Sequence, residues 1–358
     1  MYQASGLSNN TQIASKKVVV SVVIFLLIAI AGLTYVKWWP YYNKAIDASI
    51  KHTIGASIVS GKSATAPAPS WQAAWDYAAA YYKSVWKAAV LGILLGSLIQ
   101  VLIPAQWLLR MLGKASLGST ALGGIASLPG MMCTCCAAPI AVGMRKKNVS
   151  IGAALAFWLG NPALNPATLV FMTFVLSWKF TVLRLVFGLI LTFGVSYYAN
   201  RFAGKIKDTK MLDKAQEQLE IQATQPLMTR WLKSLWQLTL YVVPAYILSV
   251  LLLGAFRAWM FPAVGESLSN SILLILLFAV VGMLFVIPTA AEIPIIQTMM
   301  SFGLGTGPAA VLLLTLPVVS LPSLLIVYKF FPKRVLLFVT GSVVLLGILS
   351  GIAGMSVL

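Results

Sequence analysis

Charged residues are scarce in this chain, and their scarcity excludes a soluble globular protein. Of its 358 residues, 9% are charged and 59% are hydrophobic, against about 25% and about 45–50% in an ordinary soluble protein. The apolar residues lie in runs of about twenty, the length at which an α-helix crosses a hydrocarbon core of about 30 Å. Polar and apolar residues do not alternate as they do in a transmembrane barrel. The sequence therefore predicts an all-α polytopic membrane protein.

Acidic residues and cysteines are also few. Asp and Glu together number 8 against 26 Lys and Arg, and the formal net charge is +18. No basic cluster is interleaved with aromatic residues in a soluble segment, so we expect no nucleic-acid partner. The three cysteines lie within four positions, at Cys133, Cys135 and Cys136. This spacing excludes a disulfide scaffold and indicates a local thiol site.

The chain divides into four predicted parts. Residues 1–83 contain an apolar run after Lys16 and Lys17, then an extracytoplasmic loop whose segment 71–83 lies on the membrane surface. The run is long enough to span the membrane, which favours an uncleaved anchor over a signal peptide. The remaining parts are a first transmembrane repeat, a charged cytoplasmic linker and a second transmembrane repeat, at residues 84–200, 201–230 and 231–358.

The two repeats match at an offset of 155 positions. Matching residues fall where apolar segments are interrupted, and they are Pro139 and Pro294, Ile140 and Ile295, Gly152 and Gly307, and Pro162 and Pro317. Interrupted segments at corresponding places in two halves indicate a transporter's binding site. Each half crosses the membrane an odd number of times, which predicts inverted halves. Lys and Arg gather on one side, which predicts a cytoplasmic linker and an N-terminus inside.

A first candidate site is the cysteine segment between Pro129 and Pro139. The two prolines prevent a continuous helix and free backbone groups, which at membrane depth must face protein or a water-filled cavity. Thiols there suit thiophilic species such as As(III), Cu(I) or reactive sulfur, although buried cysteines also pack as small apolar residues. If the chain is helical after the break, Cys133 and Cys136 share a face. If it is extended, residues two apart share one instead.

A second candidate site is the pair of Asn-Pro dipeptides, Asn161-Pro162 and Asn165-Pro166. Each breaks an otherwise apolar run and places a carboxamide in the membrane, where it must find a partner. The two asparagines either cap the half-helices or polarise a substrate pocket, and these roles are compatible.

The third candidate is Glu292, between Pro288 and Pro294. It is the one acidic residue inside a predicted membrane segment, and such a residue is a functional hypothesis by default. Proton coupling, pairing with a cation and capping of a half-helix are the three roles that we consider. We expect Pro129, Pro139, Pro162, Pro166, Pro288 and Pro294 to mark the helix breaks.

At these positions the chain resembles the predicted-permease family that includes the ArsP-type organoarsenical efflux permeases. The resemblance rests on Cys133-Thr134-Cys135, on the segment 151–157, on both Asn-Pro dipeptides, and in the second half on 291–294 and on Leu316-Pro317 to Leu321-Pro322. It covers about residues 85–350. The resemblance implies a cytoplasmic-membrane permease for small solutes, with trivalent organoarsenicals as the best-known substrates. Cys136 is an addition, because the family pattern needs two cysteines.

Together these features predict a secondary transporter that exports a small thiophilic or metalloid solute through a site near the midplane. The cysteines would contact the substrate, Asn161 and Asn165 would shape the pocket, and Glu292 would couple movement to protonation. Two alternatives remain, a transporter of a small sulfur-containing anion or sulfur donor and an intramembrane thiol oxidoreductase. We expect no cofactor and no catalytic residue. The lipid bilayer and the solute are the expected partners, and both a metal at the site and a homo-oligomer stay open.

Overall fold

The computed structural model describes residues 4–61, 63, 65–203, 226–262 and 270–358, with backbone alone at 4–18 and 203. The described residues are almost entirely helical and contain no β-strand, only an isolated bridge between Ser57 and Gly61. Within the described ranges, six helical segments are long and apolar enough to cross a membrane, and they are Val19–Lys51, Trp71–Leu102, Trp178–Phe202, Leu227–Met260, Thr306–Val327 and Lys333–Val357. The predicted all-α, multi-pass fold with an N-terminal transmembrane helix is confirmed.

In chain order the α-helices are α1 Ala4–Leu33, α2 Trp39–Lys51, α3 Trp71–Leu102, α4 Ala105–Leu112, α5 Leu117–Ser127, α6 Thr134–Lys146, α7 Ile151–Ala163, α8 Pro166–Val175, α9 Trp178–Leu189, α10 Ser196–Ala199, α11 Leu227–Met260, α12 Ile272–Leu284, α13 Glu292–Ser301, α14 Thr306–Val318, α15 Leu321–Val327 and α16 Lys333–Val357. A π-helical turn, Thr34–Trp38, joins α1 to α2, and another, Ile190–Val195, joins α9 to α10. Most of the predicted linker, residues 204–225, lies outside the described residues.

Serine side chains begin several of these helices. The side chains of Ser70, Ser116, Ser150 and Ser271 accept hydrogen bonds from backbone N–H groups in the first turns of α3, α5, α7 and α12. A cap of this kind satisfies a backbone donor that the helix leaves free. Because Ser70 caps a helix that begins at Trp71, the prediction that residues 71–83 lie on the membrane surface is wrong. No proline or glycine stops the helix soon after Trp71, so the predicted surface segment 71–83 forms the first turns of α3, with Tyr77 and Tyr81 buried.

The two halves contain the same order of helices at the offset read from the sequence. Each half begins with a helix, a break and a second helix, which are α5 and α6 in the first half and α12 and α13 in the second. An interrupted pair of helices follows (α7 and α8, then α14 and α15), and after it a long helical segment. Helices α5 and α12 begin 155 positions apart, and so do α7 and α14. The repeated element order is therefore visible in the structure as well as in the sequence.

The two helices on either side of each break fold back on each other as a hairpin. The four helices α5, α6, α12 and α13 contain 10 to 13 residues and are about 15 to 20 Å long, too short to cross about 30 Å of hydrocarbon. Their outer ends also meet. Ser150 N, just after α6, donates to Leu112 O, just before α5, at 2.8 Å. Gly307 N, after α13, donates to Asn270 Oδ1, before α12, at 3.1 Å.

Corresponding long helices lie antiparallel. Trp231 Nε1 at the start of α11 donates to Ser97 Oγ near the end of α3 at 3.1 Å, and Arg257 at the other end of α11 donates to Ala73 O. Lys179 Nζ at the start of α9 donates to Val357 O at the end of α16. The cations Arg145 and Lys146 lie beside Phe330 at one end of the bundle, which we call the basic end.

Candidate functional site at the meeting of the helix breaks

The breaks of the two halves meet around one small buried cavity. Its volume is about 10 Å³, room for about one water molecule, and its lining comes from both halves: Cys133, Pro162, Thr168, Ile287, Pro288, Thr289, Ala290, Glu292 and Pro317. The structure therefore brings together the cysteine break, the break between α7 and α8, and the break before Glu292. We call this space the central cavity.

The three thiols are buried and do not share one direction. Cys133 precedes the first residue of α6, so the chain is helical after the break and residues three apart share a face. The Sγ atoms of Cys133 and Cys136 lie 3.1 Å apart. Cys135 Sγ points instead to Ser320 Oγ in the second half, at 3.1 Å. The side chains thus form one thiol pair, Cys133 and Cys136, and one separate thiol.

Close packing against α3 holds the thiol pair in place. A Cβ atom added at Gly92 would collide with the carbonyl oxygen of Cys136, and one added at Gly96 would lie 2.5 Å from that of Pro139. Glycine at these positions allows the backbones of α3 and α6 to touch. Pro139 lies inside α6 and has no N–H to donate to the carbonyl of Cys135.

The two asparagines stabilise the interrupted backbone. Asn161 Oδ1 accepts from Met132 N in the cysteine break at 3.4 Å, and its Nδ2 donates to Phe157 O at 2.9 Å. Asn165 caps α8, since its Oδ1 accepts from Ala167 N and Thr168 N. Neither asparagine lines the central cavity, whereas Thr168 does. The capping role is thus present in the structure, and substrate contact by either amide remains a prediction.

The six prolines do not all mark breaks. Pro129 lies in a 3₁₀ turn, and its carbonyl accepts from Trp38 Nε1 at 2.8 Å. Pro166 begins α8 and Pro288 lies in the second break. Pro139, Pro162 and Pro294, by contrast, lie inside α6, α7 and α13. A proline in the first helical turn interrupts no hydrogen bond, which explains Pro294.

Glu292 forms a buried ion pair with Arg184, a residue that the sequence analysis missed. Glu292 Oε1 lies 2.6 Å from Arg184 Nη1, and both side chains are 1% exposed. Glu292 is the first residue of α13, where the helix dipole also favours a negative charge. Of the three roles considered for Glu292, pairing with a cation is the one seen. Its Oε2 has no hydrogen-bond partner among the described residues.

Arg184 also satisfies carbonyls that are left free where the chain breaks between α7 and α8. In a continuous helix the carbonyl of Pro162 would accept from residue 166, but Pro166 has no N–H. Arg184 Nη2 donates to Pro162 O at 2.7 Å, and Nε donates to Ala163 O at 3.4 Å. One guanidinium therefore connects the broken helix of the first half to the carboxylate of the second.

Two cations were overlooked for different reasons. Arg184 lies in a predicted span. A charged residue inside a membrane segment is a functional hypothesis whether it is an acid, as for Glu292, or a cation. Lys37 follows the first apolar run and reads as an interfacial charge, but the helix continues through it, and its side chain is only 5% exposed. Its Nζ donates to Tyr41 Oη at 3.0 Å and to Thr289 Oγ1 at 3.1 Å. It therefore adjoins the second break.

The arrangement suits a two-thiol contact rather than a closed metal centre. Among the described residues, no group of three or more His, Cys, Asp or Glu side chains has the geometry to hold a metal ion. Of the thiol pair, Cys133 lines the central cavity together with Glu292 and Thr168, and Cys136 Sγ lies 3.1 Å from Cys133 Sγ. Such a site can bind a soft centre through sulfur and exchange a proton or a hydrogen bond on its other side.

Comparisons with known proteins agree with a membrane transport protein. Residues 124–355 match the ArsP_1 family, described as predicted permease. The UPF0718 protein YraQ of Escherichia coli K12 is 52% identical over 329 residues, which are 92% of this chain and 93% of that protein. The UPF0718 protein MJ0584 of Methanocaldococcus jannaschii is 25% identical over 285 residues, 62% of this chain and 78% of that protein. No solved structure matches the chain. This multi-pass membrane protein therefore belongs to the ArsP_1 family of predicted permeases.

Proposed function

We propose that this permease is a secondary transporter that exports a small thiophilic solute, with a trivalent organoarsenical as the model substrate. The observation that carries the proposal is the thiol pair: its sulfur atoms lie 3.1 Å apart, and Cys133 lines a cavity to which both halves contribute. A trivalent monosubstituted arsenical with two hydroxyl groups reacts with two thiols to form two As–S bonds and releases two water molecules. Hydrolysis of the same bonds releases the solute.

The closed central cavity requires a conformational change for transport. A space of about one water molecule cannot hold an organoarsenical, so the proposed cycle needs a state in which the central cavity is wider. Re-entrant hairpins at opposite ends and antiparallel partner helices support inverted halves that rock about the central cavity. Opening on either side would move the Arg184–Glu292 pair, because it joins elements of both halves.

The orientation and the coupling belong to the same proposal. The basic end would face the cytoplasm of a cell with the permease in its inner membrane, which places the N-terminus and the linker inside. Glu292 would carry a proton when the ion pair opens. This role is supported by its place in the lining of the central cavity and by its Oε2, which has no hydrogen-bond partner in the described part of the chain. An intramembrane thiol oxidoreductase is a weaker candidate, because all three thiols are buried and the chain has no other cysteine.

Transport into everted membrane vesicles tests this function. Vesicles with the wild-type protein should accumulate phenylarsenous acid, measured as vesicle-associated arsenic, above vesicles without it. Loss of one of two As–S bonds should lower the rate by at least about tenfold in Cys133→Ser and Cys136→Ser, equivalent to about 1.4 kcal/mol. Cys135→Ser is the matched control and should stay near the wild-type rate. Absence of accumulation by well-expressed wild-type protein, or equal loss in all three variants, would overturn the proposal.

A further inference from the structure

A second, larger cavity lies beside the central cavity. Its volume is about 440 Å³, and we call it the vestibule. Its lining comes from the π-helical turn before α2, from α2, from the loop that follows α2, from α3 and from the break before α13. It includes Lys37, Lys44, Tyr41 and Thr289. Pro288, Thr289 and Ala290 line both cavities. Only this short stretch of backbone therefore separates the vestibule from the site of the thiol pair.

The vestibule has a positive lining. Among the described residues that line it, Lys37, Lys44 and Tyr41 are ionisable and none is Asp or Glu. The N-terminus of α13 adds to this charge, because residues 288–291 immediately before that helix also line the vestibule. The N-terminal end of a helix carries a partial positive charge and exposed N–H donors, which favour an anion.

Lys37 is a buried cation without a carboxylate partner among the described residues. Both of its hydrogen-bond partners, Tyr41 and Thr289, are neutral hydroxyl groups, and the buried ion pair in the described part of the chain uses Arg184 instead. Removing an ammonium group from water is costly unless an opposite charge compensates it. A charge left uncompensated at membrane depth and facing a cavity is the arrangement expected of a ligand site.

We propose that the vestibule is a binding site for a small anion, with Lys37 as its principal contact. Lys44 and the N-terminus of α13 add positive charge, and Thr289 donates a hydrogen bond when the anion displaces it from Lys37. Because only residues 288–290 separate this anion from the thiol pair, the permease accepts thiophilic solutes that carry a negative charge as well as neutral ones. This last step, the assignment of the anion as substrate, rests on the proposed function.

Equilibrium dialysis of the purified full-length chain in detergent tests the site, with radiolabelled thiosulfate and sulfate as probes. The wild-type protein should bind one anion per chain saturably. Lys37→Met should weaken binding by at least about tenfold, equivalent to about 1.4 kcal/mol, whereas Lys37→Arg should retain it. Lys51→Met is the matched control, since Lys51 is an exposed lysine paired with Asp47. Thiosulfate bound more tightly than sulfate would assign selectivity for sulfur, and equal affinities would assign a general anion site.

A second measurement needs no variant. Acylation of Lys37 in the wild-type protein, followed by peptide mass spectrometry, should slow in the presence of either anion while acylation of Lys51 stays unchanged. No saturable binding by the wild-type protein, or binding that Lys37→Met leaves intact, would overturn the proposal. Transport of neutral phenylarsenous acid by the wild-type protein in everted vesicles reports the proposed function separately. Failure of anion binding with intact arsenical transport refutes the anion site alone, and the reverse result refutes the arsenical function alone.

Discussion

Replacement of Glu292 by glutamine removes one charge of the buried ion pair and leaves the other. Arg184 and Glu292 are each 1% exposed and lie 2.6 Å apart, so Arg184 would keep an uncompensated charge in the interior. Breaking a buried pair in this way costs about 3–5 kcal/mol. We therefore expect Glu292→Gln to lower the free energy of unfolding by about that amount.

The opposite single variant should cost more. Arg184→Met leaves Glu292 unpaired and also withdraws the donors to Pro162 O and Ala163 O, each a buried acceptor worth about 1–3 kcal/mol when left unsatisfied. The double variant, with both charges removed, should be more stable than the sum of the single losses predicts. We expect a coupling energy of about 3 kcal/mol.

Equilibrium unfolding in mixed micelles, followed by tryptophan fluorescence, measures these differences. Lys51→Met serves as the control, because its exposed pair with Asp47 should contribute no more than about 1 kcal/mol. Single losses below about 1 kcal/mol, or losses that add without coupling, would refute the view that this pair joins the halves.

Three further perturbations address the packing, the first break and the topology. Gly92→Ala should separate α3 from α6 and lower both thermal stability and transport, whereas Gly341→Ala, with open space around its added Cβ atom, should leave both unchanged; equal effects would contradict the packing argument. Asn165→Ala removes the cap of α8 and should cost about 1–2 kcal/mol of unfolding free energy, with Asn165→Ser largely restoring it; no loss in the alanine variant would argue against the cap. A compartment-sensitive reporter at Leu358 should report the periplasm and one at Lys210 the cytoplasm; reporters on the same side would exclude inverted halves.

The fold was predictable where local chemistry determines it. The apolar runs of spanning length correspond to helices of the structure. The offset of 155 positions also recurs, as the distance between the starts of corresponding helices. The start of α3 was misjudged because amphipathic character near Trp71 resembles a surface helix. Only tertiary packing shows that Tyr77 and Tyr81 are buried against neighbouring helices. Hydropathy does not show whether a helix face contacts lipid or protein, because the two surroundings are equally apolar.

The site was predictable only in part. Residues that break helices or place polar groups among apolar ones were visible, and Cys133, Asn161 and Glu292 do lie at or beside the meeting of the breaks. Their partners were not visible, because Arg184 and Glu292 are 108 positions apart and Lys37 and Thr289 are 252 apart. The sequence did not decide between a helical and an extended chain after the cysteine break. For that reason it could not show which of the three thiols form a pair.

If Cys133 and Cys136 together bind a thiophilic solute, as we propose, both thiols must become protected when the solute is present. The purified wild-type protein is incubated with phenylarsenous acid, its intact mass is measured, and the remaining thiols are alkylated and assigned by peptide mass spectrometry. We expect one arsenical per chain, protection of Cys133 and Cys136, and alkylation of Cys135. Binding that protects Cys135, or the absence of any protected thiol, would contradict it.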